Sequence, residues 1–95
     1  MQKVRAHLYI YGDVIGVGFR YWTVGMARKI GVYGWVKNLD NCVEAIIEGE
    51  KEKVERMIQA CHEGPPTGRV EKIEKTWENY TGEYKDFVIA RLAVI

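Results

Sequence analysis

Three glycines and an arginine lie close together near the start of the chain, in the sequence Gly12-Asp13-Val14-Ile15-Gly16-Val17-Gly18-Phe19-Arg20. Glycine adopts positive φ at little cost, so a glycine-rich turn can aim successive backbone N–H groups into one concave space. When a helix begins behind such a turn, the usual ligand is an anion, most commonly a phosphate group. Arg20 adds a planar fork of donors that matches phosphate oxygens. The predicted chemistry is therefore recognition of a phosphate group.

This loop differs from two widespread phosphate-binding loops. No Lys-Ser or Lys-Thr pair follows the glycines, which excludes a Walker A loop. The glycine spacing does not match the dinucleotide-binding fingerprint, and 95 residues are too few for a doubly wound sheet. An ordinary glycine-rich turn beside a surface arginine would contain the same residues, so the rest of the chain has to decide between the two interpretations.

The composition is that of a globular and nearly neutral chain. With 47% hydrophobic and 28% charged residues, we expect a single domain over residues 1–95 with its own core. The net charge of +1 argues against a broad nucleic-acid or membrane surface. Without an N-terminal apolar segment, a cytoplasmic location is expected. Cys42 and Cys61 are not spaced as metal ligands or a redox pair, so both are expected to be reduced thiols.

The first half of the chain predicts the elements on either side of the loop. Apolar and polar residues alternate from Val4, which indicates a half-buried strand with His7 on its polar side as a solvated or cross-strand partner. After the loop, a helix is predicted to end at Ile30, with an apolar stripe that faces the core: Phe19, Trp22, Met26 and Ile30. Gly25 costs this helix about 1 kcal/mol relative to alanine, and we expect it to let the helix approach the sheet closely.

The second half predicts a hairpin, a helix and two further strands. Residues 32–38 and a strand from Val43 form the hairpin, and the Asp40-Asn41 turn joins them. After the hairpin, the sequence predicts a helix from Glu50 to His62, a charged edge strand from Val70 to Trp77 and a short strand from Phe87 to Leu92.

The element order β-α-β-β-α-β with a short C-terminal strand predicts a ferredoxin-like α+β sandwich. In this fold an antiparallel sheet bears both helices on one face. The first and third strands are then central. The glycine loop, the start of the first helix and the end of the second strand meet at one end of the sheet. We therefore expect Asn38 to approach the loop and Arg20.

These residues resemble the acylphosphatase family. The family loop reads roughly Gly-x-Val-Gln-Gly-Val-x-Phe-Arg, and the chain matches it in register at Gly12, Val14, Gly16, Val17, Phe19 and Arg20. The second family motif, Gly-x-x-x-Asn, is present as Gly34-Trp35-Val36-Lys37-Asn38. Ile15 replaces the usual Gln, Asp13 stands where a basic residue is frequent, and the Asp40-Asn41-Cys42 turn is one residue shorter than in the family.

The resemblance implies an enzyme that hydrolyses acyl phosphates to carboxylate and inorganic phosphate. It implies that Arg20 and Asn38 are catalytic, with Asn38 positioning the attacking water. The implied phosphate-binding residues are Val14, Ile15, Gly16, Val17, Gly18, Phe19 and Arg20. No metal, cofactor or covalent intermediate is implied, and we expect a monomer that acts on a small molecule, without nucleic-acid or membrane partners. Asp13 is expected to oppose anion binding, since like charges ~4 Å apart in water cost about 1 kcal/mol.

Two other functions stay open at this point. A non-catalytic domain could bind an acyl phosphate or carbamoyl phosphate for a partner protein. A ferredoxin-like RNA-recognition module would have the same element order and use exposed aromatic residues on its sheet, here Tyr9, Tyr11, Tyr33 and Trp35. The low net charge argues against the RNA-binding module, as does the position of Gly16 to Arg20 in a loop. The physiological substrate and the role of the tail Ala90 to Ile95 stay undetermined.

Overall fold

The computed structural model describes residues 2–91, and its elements follow the predicted order. The strands and helices are β1 (Lys3–Asp13), α1 (Phe19–Ile30), β2 (Tyr33–Asn38), β3 (Val43–Glu50), α2 (Lys51–Glu63), β4 (Arg69–Glu78) and β5 (Phe87–Ile89). Most ends lie within a residue or two of the predicted positions. The last strand, predicted to reach Leu92, ends at Ile89, and Leu92 lies outside the described residues together with the rest of the tail.

The five strands form one sheet in the order β4-β1-β3-β2-β5. β1 and β3 are central, as predicted, and β4 is an edge strand. The pairs β1–β3, β1–β4 and β2–β3 are antiparallel. β5 runs parallel to β2, so the complete sheet is mixed. Val43 of β3 pairs with Ile10 on one side and with Asn38 on the other, which places these three residues in one row across the sheet.

The core lies between one face of the sheet and the two helices. Alternate residues of the central strands point into it and are fully buried: Ala6, Leu8 and Ile10 of β1, and Val43, Ala45 and Ile47 of β3. α2 adds the predicted stripe of Val54, Met57, Ile58 and Cys61. This arrangement confirms the ferredoxin-like fold with both helices on one face. Neither helix within residues 2–91 has the length and apolar character needed to cross a membrane.

The buried side of α1 differs slightly from the predicted stripe. Phe19, Thr23 and Ala27 are buried, whereas Trp22 and Met26 are only partly covered. Thr23 lies in the core because its hydroxyl donates a 2.8 Å hydrogen bond to the carbonyl of Phe19. A hydroxyl that is satisfied within its own helix adds little cost to burial. The stripe predicted from residue polarity is therefore displaced by one residue from the side of α1 that is buried.

Gly25 does not bring α1 closer to the sheet, so that expectation is wrong. Gly25 is exposed, and a Cβ built on it meets no heavy atom within 4 Å. Gly25→Ala should therefore raise the free energy of unfolding by about 1 kcal/mol, because alanine restricts the unfolded chain and favours the helix. Urea denaturation measures this change. Gly34→Ala is the contrasting variant, since its Cβ would lie 1.9 Å from the carbonyl oxygen of Ile46. A loss of stability in Gly25→Ala would contradict this account.

Candidate active site

A concavity of about 210 Å³ lies where β1 ends, α1 begins and β2 ends. Its lining consists of Val14, Gly16, Gly18, Phe19, Arg20, Tyr21 and Asn38. The fold thus brings the end of the second motif to the glycine loop. Ile15 and Val17, which the resemblance includes in the phosphate loop, are not among the lining residues. Tyr21 is an addition that the sequence did not suggest, although its place beside Arg20 in the first turn of a helix could have indicated it.

Two glycines give the loop its shape. Gly16 and Gly18 both have φ of 78°, in the left-handed region. A Cβ at either position would meet nothing within 4 Å, so the backbone conformation, and not crowding, requires glycine there. Gly18 is also the N-cap residue of α1. Left-handed residues within a turn create the concave arrangement of N–H groups that binds anions.

The main-chain N–H groups of the loop have no main-chain acceptor in the described part of the chain. Among residues 2–91, no main-chain carbonyl accepts a hydrogen bond from the N–H groups of residues 15–20. The N–H groups at the start of a helix lack partners by geometry, and here no side chain caps them. The first turn of α1 also contains no acidic residue. The helix N-terminus therefore keeps its partial positive charge free for an anion.

Asn38 and Arg20 supply an amide and a guanidinium to the concavity. Asn38 is the last residue of β2, and within residues 2–91 no group hydrogen-bonds to its buried Oδ1 atom. Leaving a buried acceptor unpaired costs about 1–3 kcal/mol, so such an atom calls for an explanation. Arg20 is half-buried, and it takes part in none of the ion pairs found within the described residues. Both side chains are therefore available to a ligand.

Asp13 ends β1 with an exposed side chain and is not one of the lining residues. We still expect its charge to act on an anion in the neighbouring loop. Asp13→Asn should lower the inhibition constant of inorganic phosphate about two- to fivefold at low ionic strength, where screening is weakest. Asp86→Asn changes the net charge equally but lies at the other end of α1, beside Arg28, and serves as the control. A constant that stays the same at low salt would show that Asp13 does not influence the site.

Neither cysteine lies at the concavity. Cys42 and Cys61 are both buried and unpaired. Burial raises the pKa of the Cys61 thiol to about 12 and also raises that of Cys42. A thiol with a raised pKa stays protonated near neutral pH and is a poor nucleophile. Neither thiol is therefore expected to act as a nucleophile.

A larger concavity of about 490 Å³ lies elsewhere, between the start of α2 and the outer end of β4. Long charged side chains supply much of its lining, among them Lys3, Lys51, Glu55 and Lys75. The described part of the chain places no buried unpaired polar atom there. Within residues 2–91, no group of three or more His, Cys, Asp or Glu side chains could hold a metal ion. Its larger volume alone does not make this concavity a better candidate for the active site than the concavity at the glycine loop.

The sheet face away from the helices is occupied by a polar network. His7 lies between two carboxylates, with Nε2 2.6 Å from Glu44 and Nδ1 2.8 Å from Glu78, and is thus a cross-strand partner. Trp35 and Arg5 both donate to the hydroxyl of Tyr84, which belongs to the loop between β4 and β5. An RNA-binding platform needs free aromatic faces and a positive surface. On this face, carboxylates accompany the basic side chains, and Trp35 is hydrogen-bonded to the loop between β4 and β5.

The fold and the concavity define the structural class of this protein. It is a ferredoxin-like protein with a turn rich in N–H groups and an arginine at one end of its sheet. The family model for acylphosphatase matches residues 6–89. The chain belongs to the acylphosphatase family. Members of this family hydrolyse the carboxyl–phosphate bond of acyl phosphates, so the family, the enzyme class and the reaction expected from the sequence are confirmed.

Related proteins agree with this assignment. The acylphosphatase of Thermococcus kodakarensis is 55% identical over 83 residues, which cover 86% of this chain and 91% of that protein. The acylphosphatase of Pelotomaculum thermopropionicum is 42% identical over 91 residues, with 95% and 99% covered. The crystal structure of Bacillus subtilis acylphosphatase superimposes with a TM-score of 0.88 at 31% identity, covering 93% of this chain and 99% of that one.

The same fold is also part of a much longer protein. Full-length HypF, in its phosphate- and nucleotide-bound form, matches 95% of this chain with a TM-score of 0.86 and 32% identity. The match covers only 12% of HypF. The acylphosphatase fold therefore occurs both in short chains and as a small segment of a large one.

Proposed function

We propose that Arg20 and the N–H groups of the glycine loop hold the phosphoryl group of an acyl phosphate, while Asn38 positions the attacking water. The proposal rests above all on the buried, unpaired Oδ1 of Asn38 in the concavity that Arg20 also lines. A water molecule would donate a hydrogen bond to this oxygen and so direct its own lone pair toward phosphorus. The unpaired acceptor is then part of the reaction.

The reaction consists of one displacement at phosphorus. The water oxygen forms a bond to phosphorus, and the bond between phosphorus and the acyl oxygen breaks with its electron pair leaving on the carboxylate. From an acyl phosphate dianion and water, the products are a carboxylate and dihydrogen phosphate, so both protons of the water remain on the phosphate. Charge spreads over the phosphoryl oxygens in the transition state. Arg20 and the loop N–H groups face those oxygens and stabilise the charge.

The leaving group explains why so few residues suffice. A carboxylate leaves readily without a proton, so no general acid is needed, and a loose transition state asks little of the water nucleophile. Positioning and electrostatic stabilisation are then the main tasks of the protein. We propose that the guanidinium and the helix N-terminus supply all the positive charge required, and that no metal ion takes part.

Several further properties belong to this proposal. The chain is proposed to act as a monomer and a single domain over residues 1–95, on a small acyl phosphate, without nucleic-acid or membrane partners. A cytoplasmic location is proposed because both cysteines are free and buried, which suits a reducing compartment.

Hydrolysis of a simple aromatic acyl phosphate by the purified protein, with and without excess chelator, tests the proposal. We expect turnover that the chelator leaves unchanged. A large loss of rate that Mg²⁺ or Zn²⁺ restores would contradict metal independence. Binding of phosphate without any turnover would favour a non-catalytic domain that serves a partner, a possibility that the match to one small part of HypF makes worth testing.

A further inference from the structure

The turn between α2 and β4 packs against the glycine loop. In this turn the N–H of Gly68 donates a 3.1 Å hydrogen bond to the carbonyl of Pro65. Pro66 occupies the second position of the turn, where its ring fixes its own φ at a value that suits the turn, and the third position follows it. Thr67 occupies that third position. The turn thus presents the Thr67 side chain in a defined position.

Thr67 makes a direct contact with the phosphate-binding loop. Its Oγ1 donates a 2.8 Å hydrogen bond to the main-chain carbonyl of Val17. Val17 stands between the two left-handed glycines, Gly16 and Gly18. Of the described side chains, no other donates to a main-chain carbonyl of residues 14–18. The contact therefore acts at the middle of the loop.

The peptide bond transmits this contact to an N–H group. All described peptide bonds are trans, and in a trans peptide the C=O of one residue and the N–H of the next point in opposite directions. With the Val17 carbonyl held toward Thr67, the Gly18 N–H has to point away from Thr67. Gly18 lines the concavity and Thr67 does not. A Gly18 N–H that points away from Thr67 can donate into the space proposed for the phosphoryl group.

The turn between α2 and β4 approaches the glycine loop closely. A Cβ on Gly68 would lie 2.9 Å from the carbonyl oxygen of Asp13 and 3.0 Å from Cγ2 of Val17. A Cβ on Gly64 would lie 3.6 Å from the ring of Phe19. The turn and Gly64 before it thus pass close to both ends of the loop and to its centre.

We propose that Thr67 is a positioning residue of this enzyme, which fixes the Val17–Gly18 peptide so that the Gly18 N–H donates to the phosphoryl group. The inference rests on the proposed function, because it assigns a role to the phosphate site described there. Thr67 does not touch the substrate. Its hydroxyl is exposed, so its loss leaves no buried polar group unpaired and spares the fold.

The test compares three variants with the wild type. Thr67→Val removes the hydroxyl and keeps the shape, Thr67→Ser keeps the hydroxyl, and Thr76→Val makes the same chemical change at an exposed position of β4. The measurements are binding of inorganic phosphate, kcat and KM for an aromatic acyl phosphate, and the phosphate-induced shift of the Gly18 amide in ¹⁵N NMR spectra. The melting temperature controls for folding.

We expect Thr67→Val to weaken phosphate binding and lower kcat/KM about fivefold each, the effect of one ordinary hydrogen bond. The phosphate-induced shift of the Gly18 amide should shrink in this variant alone. Thr67→Ser and Thr76→Val should stay within about twofold of the wild type. An unchanged Gly18 shift and phosphate affinity in Thr67→Val would overturn the inference, as would a serine variant that is as impaired as the valine variant.

Failure of the proposed function gives a different result. If the wild type binds phosphate but hydrolyses nothing, the proposed reaction is wrong, and phosphate affinity with the Gly18 shift still decides the role of Thr67. If the wild type binds no phosphate at all, both the site and the role of Thr67 are overturned.

Discussion

Replacing Arg20 by glutamine is expected to abolish turnover and also to weaken inhibition by inorganic phosphate. In the proposed mechanism the guanidinium binds the phosphoryl group both before and during the reaction, so its loss should affect binding and catalysis together. Loss of one such donor lowers the rate about 10²–10³-fold. Hydrogen bonds to charged groups contribute about 1.5–3 kcal/mol, which corresponds to a 10- to 100-fold rise in the phosphate inhibition constant.

Arg28→Gln is the matched control for this prediction. Arg28 lies in the last turn of the same helix and pairs with Asp86 at the surface, away from the concavity. Exposed ion pairs contribute at most about 1 kcal/mol, so this variant should keep its activity and its phosphate affinity. Circular dichroism first establishes that both variants fold. An Arg20→Gln protein with normal phosphate inhibition would remove Arg20 from the site.

Replacing Asn38 by alanine is expected to abolish turnover while phosphate inhibition stays nearly intact. Asn38 is assigned to the water, which contributes only as the reaction proceeds, so kcat falls and ground-state binding does not. The expected loss is again about 10²–10³-fold in rate. Removal of a buried acceptor that has no protein partner should also leave stability unchanged or slightly increased.

Asn41→Ala provides the comparison, since Asn41 is an exposed residue of the turn that follows β2. Steady-state kinetics of both variants, with inorganic phosphate as the inhibitor, separate the two roles. If Asn38→Ala stays active, Asn38 does not position the water. If it loses phosphate affinity as severely as Arg20→Gln, the proposed division of roles between the two residues is incorrect.

Much of this molecule could be predicted from its sequence, because its strands alternate cleanly and its two motifs are close to the family pattern. Alternation in β1, and in β3 apart from Ile46, indicated which face is buried, and the element order indicated the topology. Together, the alternation and the element order were sufficient to predict that Asn38 meets the loop of Arg20. The residue types and the order of the elements were sufficient for this part.

The remaining features depend on contacts that no local pattern encodes. Thr23 is buried because its hydroxyl bonds within its own helix, which polarity alone does not reveal. Thr67 contacts Val17 across 50 residues of sequence. Tyr21 lines the concavity although 74% of its surface is exposed, so neither hydrophobicity nor burial would have selected it. Such positions require the three-dimensional arrangement of the loops.

Ile10, Val43 and Asn38 lie in one row across three strands. Turnover therefore depends on the correct alignment of these strands. β3 separates the loop-bearing strand from the strand that ends at Asn38, so two independent ladders set the spacing of the site. A slip of one residue in either ladder would displace Asn38 by about 3.3 Å and turn its side chain to the other face. A collapsed or misaligned chain could bury its core and still be inactive. Recovery of hydrolysis during refolding would therefore report the correct alignment of three strands.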